Sequence, residues 1–361
     1  MENVLFITNN ISPTSVGGRE QLSRLLRDAL SEVYGARFSS IELSKSRFGE
    51  TSPFRERITG YIDGASPASI SRITEIVRSQ EVSHVVLNGS NLGRIAQAVR
   101  AKAPSVRIST FLHNCETRFF FGSLRQSPSL RALGVLVANL QAERMAVRHS
   151  DSLICLNQRD GEQLRRTYGR LCTHILPMAL KDLLPKDVGS ACQVLSGDYA
   201  LFVGGTFYAN RQGIDWFVEH VAAKSPLKTV VVGKGFEAWK RLLERNGNVE
   251  VVGSVDSLVP WYLGAQVVIA PIFDGSGMKT KVAEALMFGK RVVGTPEAFV
   301  GYEAIVGRAG IVCESPAEFL AALAFEATRP FIAIDPELRA AYEERYSFEA
   351  ARDQLAGILA E

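Results

Sequence analysis

The chain has 361 residues and is 46% hydrophobic and 22% charged. This is ordinary globular usage, which excludes a disordered chain, a collagen-like repeat or a long coiled coil, and the length suits about two domains. The formal net charge of +3 hides an asymmetry: Met1–Met178 holds 23 Lys and Arg against 15 Asp and Glu, whereas Ala179–Glu361 holds 18 against 23.

Along the chain, short Val- and Ile-rich runs alternate with segments of helical period. Val4–Thr8 reads as a buried parallel strand. The loop Asn9–Gly18 follows, then a helix over Arg19–Val33 with Leu22, Leu25, Leu26, Ala29 and Leu30 on one stripe. Further strands are expected at Val82–Asn88, Arg107–His113 and Ser152–Leu156. The pattern restarts with Ala200–Val203, a helix around Gly213–Ala223, and strands at Thr229–Val232, Val249–Val252, Gln266–Pro271, Arg291–Gly294 and Gly310–Cys313. Phe348–Leu359 closes the chain as a helix. Strand then helix, repeated, is the mark of α/β layers around mostly parallel sheets. The expected organisation is an N-terminal domain over 1–178, a linker over 179–197, a C-terminal domain over 198–345 and a terminal helix over 346–361.

The N-terminal MENVLFITNN has neither the basic segment nor the apolar run of a signal peptide, and no run of 18 apolar residues occurs. The five cysteines (Cys115, Cys155, Cys172, Cys192, Cys313) form no CxxC pair. A cytoplasmic protein with reduced thiols is the expectation. The histidines do not cluster with carboxylates at metal-ligand spacing, so no metal is expected.

Ligands of doubly wound sheets bind beyond the C-terminal strand ends. The strongest local signal lies there. Asp274-Gly275-Ser276-Gly277-Met278 joins a strand to a helix, followed by Lys279, Thr280 and Lys281. Glycines let a backbone approach an anion, and a helix N-terminus attracts one. Lysines in the first turn oppose the helix dipole unless an anion compensates; two solvated surface lysines are the plainer alternative. Glu284 is placed either to accept hydrogen bonds from a ribose diol or to pair with Lys281. Gly204-Gly205 and Gly233-Lys234-Gly235 are further glycine loops after strands. Together they read as a nucleoside-diphosphate site. Gly17-Gly18 lies between the first strand and helix, without the spacing of a dinucleotide fingerprint or a P-loop.

His113 ends an apolar strand and is placed to donate to a phosphate or hydroxyl, or simply to a neighbouring loop. Two basic stretches are interleaved with aromatics: Lys45–Tyr61, with Arg55 and Arg57, and Arg118–Arg131, with Phe119, Phe120 and Arg125. They suit an anionic membrane surface or lipid-linked acceptor, or are buried aromatics with solvated arginines. No nucleic-acid motif is present.

Taken together, these residues resemble the GT-B glycosyltransferases of the family 4, or group 1, type used for bacterial cell-surface polysaccharides. The likeness is strongest over Leu201–Glu303. Phe202–Phe217, with Asn210 and Arg211, is similar to that family's entry into its C-terminal domain; Gly275–Leu286 is similar to its donor loop and helix, and Gly289–Pro296 to the strand that follows. The resemblance implies two Rossmann-like doubly wound domains facing a central cleft, with the C-terminal helix packing back on the N-terminal domain. It implies a nucleotide sugar bound by the second domain: Glu284 on the ribose, Gly205 and Gly275–Gly277 on diphosphate and sugar, and Lys279 and Lys281 neutralising the leaving group. The first domain would bind a glycan or lipid-linked acceptor, with His113 orienting the donor sugar or acceptor hydroxyl. The family's E-x7-E pattern is broken, because Ser276 stands eight residues before Glu284. Asp274 or backbone N–H groups would replace that contact. A sugar-nucleotide 2-epimerase of the same fold and a non-catalytic scaffold of a glycan assembly complex are the alternatives.

Overall fold

The computed structural model describes residues 2–9, 18–44, 54–185 and 197–361, with Phe54, Arg55 and Asn246 described in their backbone alone. Gly17, Cys192, the stretch 45–53 and most of the expected linker lie outside the described residues. The chain divides into two compact units, Met1–Pro177 with Ala351–Glu361, and Met178–Ala350.

The first unit is built on six parallel strands: β1 (Val4–Asn9), β2 (Phe38–Leu43), β3 (His84–Asn88), β4 (Arg107–Leu112), β5 (Ser152–Cys155) and β6 (His174–Ile175). Their order is β2-β1-β3-β4-β5-β6. The direction of winding reverses between β1 and β3, and side chains at those strand ends face the position where ligands of such sheets bind. β1 and β3 are buried throughout because both faces of the sheet are covered, with polar residues only at Thr8, Asn9, His84 and Asn88. The helix Gly18–Tyr34 buries the predicted stripe from Leu22 to Leu30. The helix Phe348–Ala360 docks on this unit from residue 351 onward. Arg352 pairs with Glu32 at 3.2 Å, Gln354 donates to the Ile175 carbonyl, and the Leu359 carbonyl accepts from Arg107.

The second unit has β7 (Tyr199–Val203), β8 (Lys228–Val232), β9 (Val249–Gly253), β10 (Val267–Ala270), β11 (Val292–Gly294) and β12 (Gly310–Val312). They are ordered β12-β11-β10-β7-β8-β9, and the reversal falls between β7 and β10. This is the dinucleotide-binding winding order, in which adjacent loops diverge and leave a crevice at the reversal. Its core joins Phe202, Phe217, Val231, Ile269 and Phe319.

Two boundaries differ from the sequence reading. The helix after β7 runs over Tyr208–His220, so Asn210 and Arg211 lie in its first turn. The helix after β10 begins at Thr280, with Lys279 as its N-cap, so Gly275–Met278 form a true loop. β2 and β6 are strands the apolar-run pattern did not show.

Candidate functional site

In the second unit the reversal brings the loops after β7 and β10 side by side. Gly213 packs so tightly on the Pro271 carbonyl that a Cβ there would sit 1.8 Å from its oxygen. Gly233, after β8, lies against Gly204, where a Cβ would meet the Gly204 oxygen at 1.7 Å. Gly204, Gly233, Gly275 and Gly277 all have positive φ, so these loops are shaped by conformations that side chains disfavour. Gly205 has open space around it.

Lys281 is the cation at the centre of this arrangement. Its side chain is buried; Nζ donates to Asn210 Oδ1 at 2.9 Å and lies 4.1 Å from the centre of the Phe202 ring. Burial lowers its pKa to about 7, Glu284 opposes that shift, and Lys279 adds to it. Asn210 is in turn fixed by donating Nδ2–H to the Gly205 carbonyl. The first turn of one helix thus orients the lysine of another, beside a glycine loop.

Lys279 is placed differently. Nζ forms an ion pair with Glu297 at 2.9 Å, and donates to the carbonyls of Gly277 and Ser276 at 3.2 and 3.4 Å. The compensating anion expected from sequence is, for this residue, a protein carboxylate. Lys279 ties the glycine loop to the segment after β11. Tyr302 donates to the Lys279 carbonyl and secures the same turn.

Glu284 does not take Lys281 as its hydrogen-bonding partner. Its Oε2 accepts from the hydroxyl of Tyr262 at 2.7 Å. Burial raises its pKa, while Tyr262 and Lys281 act to lower it. Asp274 accepts from the Gly275 N–H at 2.7 Å, which shapes the loop start. Ser276 is half-buried on that loop. Met278 is buried, accepting from the Met178 N–H and filling the space above Gly301, so its side chain is a packing element. Thr280 opens the helix, half-buried. Arg211 stacks on the Trp239 ring at 4.6 Å, and Lys234 is exposed.

In the first unit, the ends of β1, β3 and β4 carry a connected polar cluster. His113 is buried, and its Nε2 lies 2.8 Å from Asn88 Oδ1. Asn88 donates to Thr8 and Ser23. Burial, with Arg19 nearby, holds the His113 pKa well below its ordinary value, so its ring is neutral. Arg19, just inside the helix that Gly18 opens, pairs with Glu116 at 3.0 Å. Asn91 donates to Asn9 and Asp63. Burial raises the Glu116 pKa to about 7.

A residue with no local sequence signal organises this end. Glu143, fully buried on the helix Leu130–His149, accepts from Ser90, the N–H groups of Glu116 and Thr117, and Tyr168. Its carboxylate caps the helix Glu116–Gln126, whose first turn follows His113.

The second basic stretch is helical here, over Glu116–Gln126. Phe119 and Phe120 are half-buried against each other, while Phe121, Arg125, Leu130 and Leu133 are exposed. Arg57 lies on the short helix Phe54–Ile58. Among the described residues, no helix is long and apolar enough to cross a membrane.

Residues 197–325 match the family described as glycosyl transferases group 1. No curated protein matches the chain. The fold is that of GT-B glycosyltransferases. Sucrose-phosphate synthase from Thermosynechococcus elongatus superposes with a TM-score of 0.76 at 15% identity, covering 100% of this chain and 98% of its own. Anabaena HepE, solved in complex with UDP, gives a TM-score of 0.68 at 15% identity with full coverage of both chains. WaaG, a glycosyltransferase involved in lipopolysaccharide biosynthesis, gives 0.60 at 16% identity, covering 97% and 94%.

Proposed function

We propose that the chain, whose residues 197–325 match the group 1 glycosyltransferases, moves a sugar from a nucleoside diphosphate to a hydroxyl of a glycan or lipid-linked acceptor. The observation that carries this reading is Lys281: a buried ammonium beside glycine loops at the winding reversal of the second sheet. The diphosphate lies against Gly204-Gly205 and Gly275–Gly277, and Glu284 accepts from the ribose hydroxyls. As the anomeric C–O bond breaks, negative charge grows on the departing diphosphate. Lys281 and oriented backbone N–H groups stabilise that charge from fixed positions. This electrostatic assistance needs no metal. The acceptor oxygen bonds to the anomeric carbon and passes its proton to the departing diphosphate; the family likeness points to retention of configuration. UDP-glucose, present in a HepE structure, is the first donor to try.

The acceptor belongs to the polar cluster of the first unit, with His113 as a neutral ring orienting a hydroxyl. The exposed Phe121, Leu130 and Leu133, with Arg125 and Arg57, form the contact of a peripheral protein with an anionic membrane face, in polysaccharide or glycoconjugate synthesis. Incubation with radiolabelled nucleotide sugars and membrane lipid extract tests the reading. Label moving to lipid or glycan supports it. An epimerised donor, or donor binding without turnover, overturns it in favour of an epimerase or a scaffold.

A further inference from the structure

We infer that Tyr262 is the positioning residue of the ribose subsite: its hydroxyl holds the Glu284 carboxylate in the single orientation that can chelate a vicinal diol. The inference rests on the assignment of Glu284 to the ribose.

The geometry is specific. Tyr262 lies in the short helix Val259–Gly264, which leads into β10, and is fully buried. Its ring stacks flat on Phe288, with centroids 4.8 Å apart and planes at 14°. Phe288 caps the C-terminal end of the helix that carries Glu284. The phenol is therefore fixed by packing against the element whose carboxylate it contacts. It donates to Glu284 Oε2 at 2.7 Å.

A glutamate side chain has three rotatable bonds, and a free one loses much of that freedom on binding. Here the hydroxyl has fixed one oxygen before a ligand arrives, leaving Oε1 and the second lone pair of Oε2 as acceptors. A cis-diol has two donors at matching separation. Burial pushes the Tyr262 phenol far above its ordinary pKa, so it remains a donor throughout the working pH range. The groups acting on Glu284 are Tyr262 and Lys281, and both favour its ionised, acceptor form.

The test is a two-by-two comparison, read by calorimetry on the full chain. Wild type and Tyr262→Phe are each titrated with UDP, GDP and ADP and with their 2′,3′-dideoxy forms. Wild type is expected to bind the tightest ribonucleotide at least about tenfold better than its dideoxy form, the value of hydrogen bonds to a charged acceptor. In Tyr262→Phe this ratio falls to within about threefold, while affinity for the dideoxy form stays unchanged. The variant's ribonucleotide affinity also declines at a higher pH on acidification, because Glu284 has lost a donor that favours its ionised form. An undiminished ratio in the variant overturns the role of Tyr262 and leaves the ribose assignment standing. No discrimination in wild type, or no nucleotide binding at all, overturns the ribose assignment itself and Tyr262's role with it. If Tyr262→Phe does not fold, Phe288→Leu removes the stacked ring and keeps the hydroxyl. A reduced ratio there supports the inference, and an unchanged one refutes it.

Discussion

Lys281→Met should stabilise the second unit while abolishing its proposed diphosphate site. Lys281 is buried, donates to Asn210, and is held at a pKa of about 7 against an ordinary 10.5. Between those values the unfolded chain binds the proton more readily than the folded one. Stability is therefore lost as pH falls from 10.5 toward 7 and levels off below. The full separation corresponds to about 5 kcal/mol at roughly 1.4 kcal/mol per tenfold, and about 2 kcal/mol of it remains at pH 9. Methionine removes this penalty and fits a similar volume beside Phe202, but leaves the Asn210 carbonyl oxygen without its lysine donor, a cost of about 1–3 kcal/mol. The expected net gain is about 2–4 kcal/mol at pH 6, vanishing near pH 9. Trp216, Trp239 and Trp261 all lie in the second unit and are the chain's only tryptophans, so their fluorescence in urea reports this unit alone. A variant no more stable than wild type at pH 6, or a difference equal at pH 6 and pH 9, refutes the reasoning.

Glu143→Ala strips five donors of a buried acceptor, the Cys115 thiol included, and should destabilise the first unit by about 3–5 kcal/mol, since each buried group left unpaired costs about 1–3 kcal/mol. Circular dichroism should show an earlier transition that the tryptophans do not report, whereas coincident transitions would contradict a local effect. Arg55, Arg57 and Arg125 changed together to Glu should cut sedimentation with anionic vesicles, and equal sedimentation removes the membrane contact. Lys279→Met and Glu297→Gln should each weaken nucleotide binding, and the double variant should be no worse than the poorer single. That coupling, about 1–3 kcal/mol, reflects a shared ion pair. Additive losses would show that Lys279 meets the ligand directly.

Both sheets were legible because their central strands are apolar on both faces. β2 was not: Phe38-Ser-Ser-Ile-Glu-Leu is an edge strand of mixed burial, with its two serines and glutamate breaking the apolar run. β6 has only two residues, too few for any period. The glycine loops and Lys281 were legible because local spacing encodes a strand-to-helix turn. Their partners were not. Tyr262 lies 22 residues before Glu284, Glu297 lies 18 after Lys279, and Glu143 caps a helix 27 residues upstream. Such pairings are created by the winding of the sheet, and a lone Tyr or Glu in a helix carries no periodic mark of them. The surroundings that separate Lys279 from Lys281 are not local in sequence; they are Glu297 and Asn210, brought in by folding.

That difference also bears on how an acidic half would take the proposed anionic ligand. The excess acid of Ala179–Glu361 is spread over many groups, and at physiological ionic strength charges beyond about 8 Å are largely screened. What a diphosphate meets is local. Within the site, the carboxylates of Glu297 and Glu284 are engaged by Lys279 and Tyr262, so their charge is countered or turned toward a donor. Lys281 donates to the Asn210 amide and lies over the Phe202 ring, while Glu284 favours its charged form without being its hydrogen-bonding partner. Its burial lowers its affinity for a proton in the empty site and strengthens its attraction to an anion, since both follow from the same poor solvation. A bound diphosphate restores the proton's favourable field, so binding above pH 7 should draw a proton from the buffer. The lysine's instability without ligand and its strength with ligand are one physical property seen in two states.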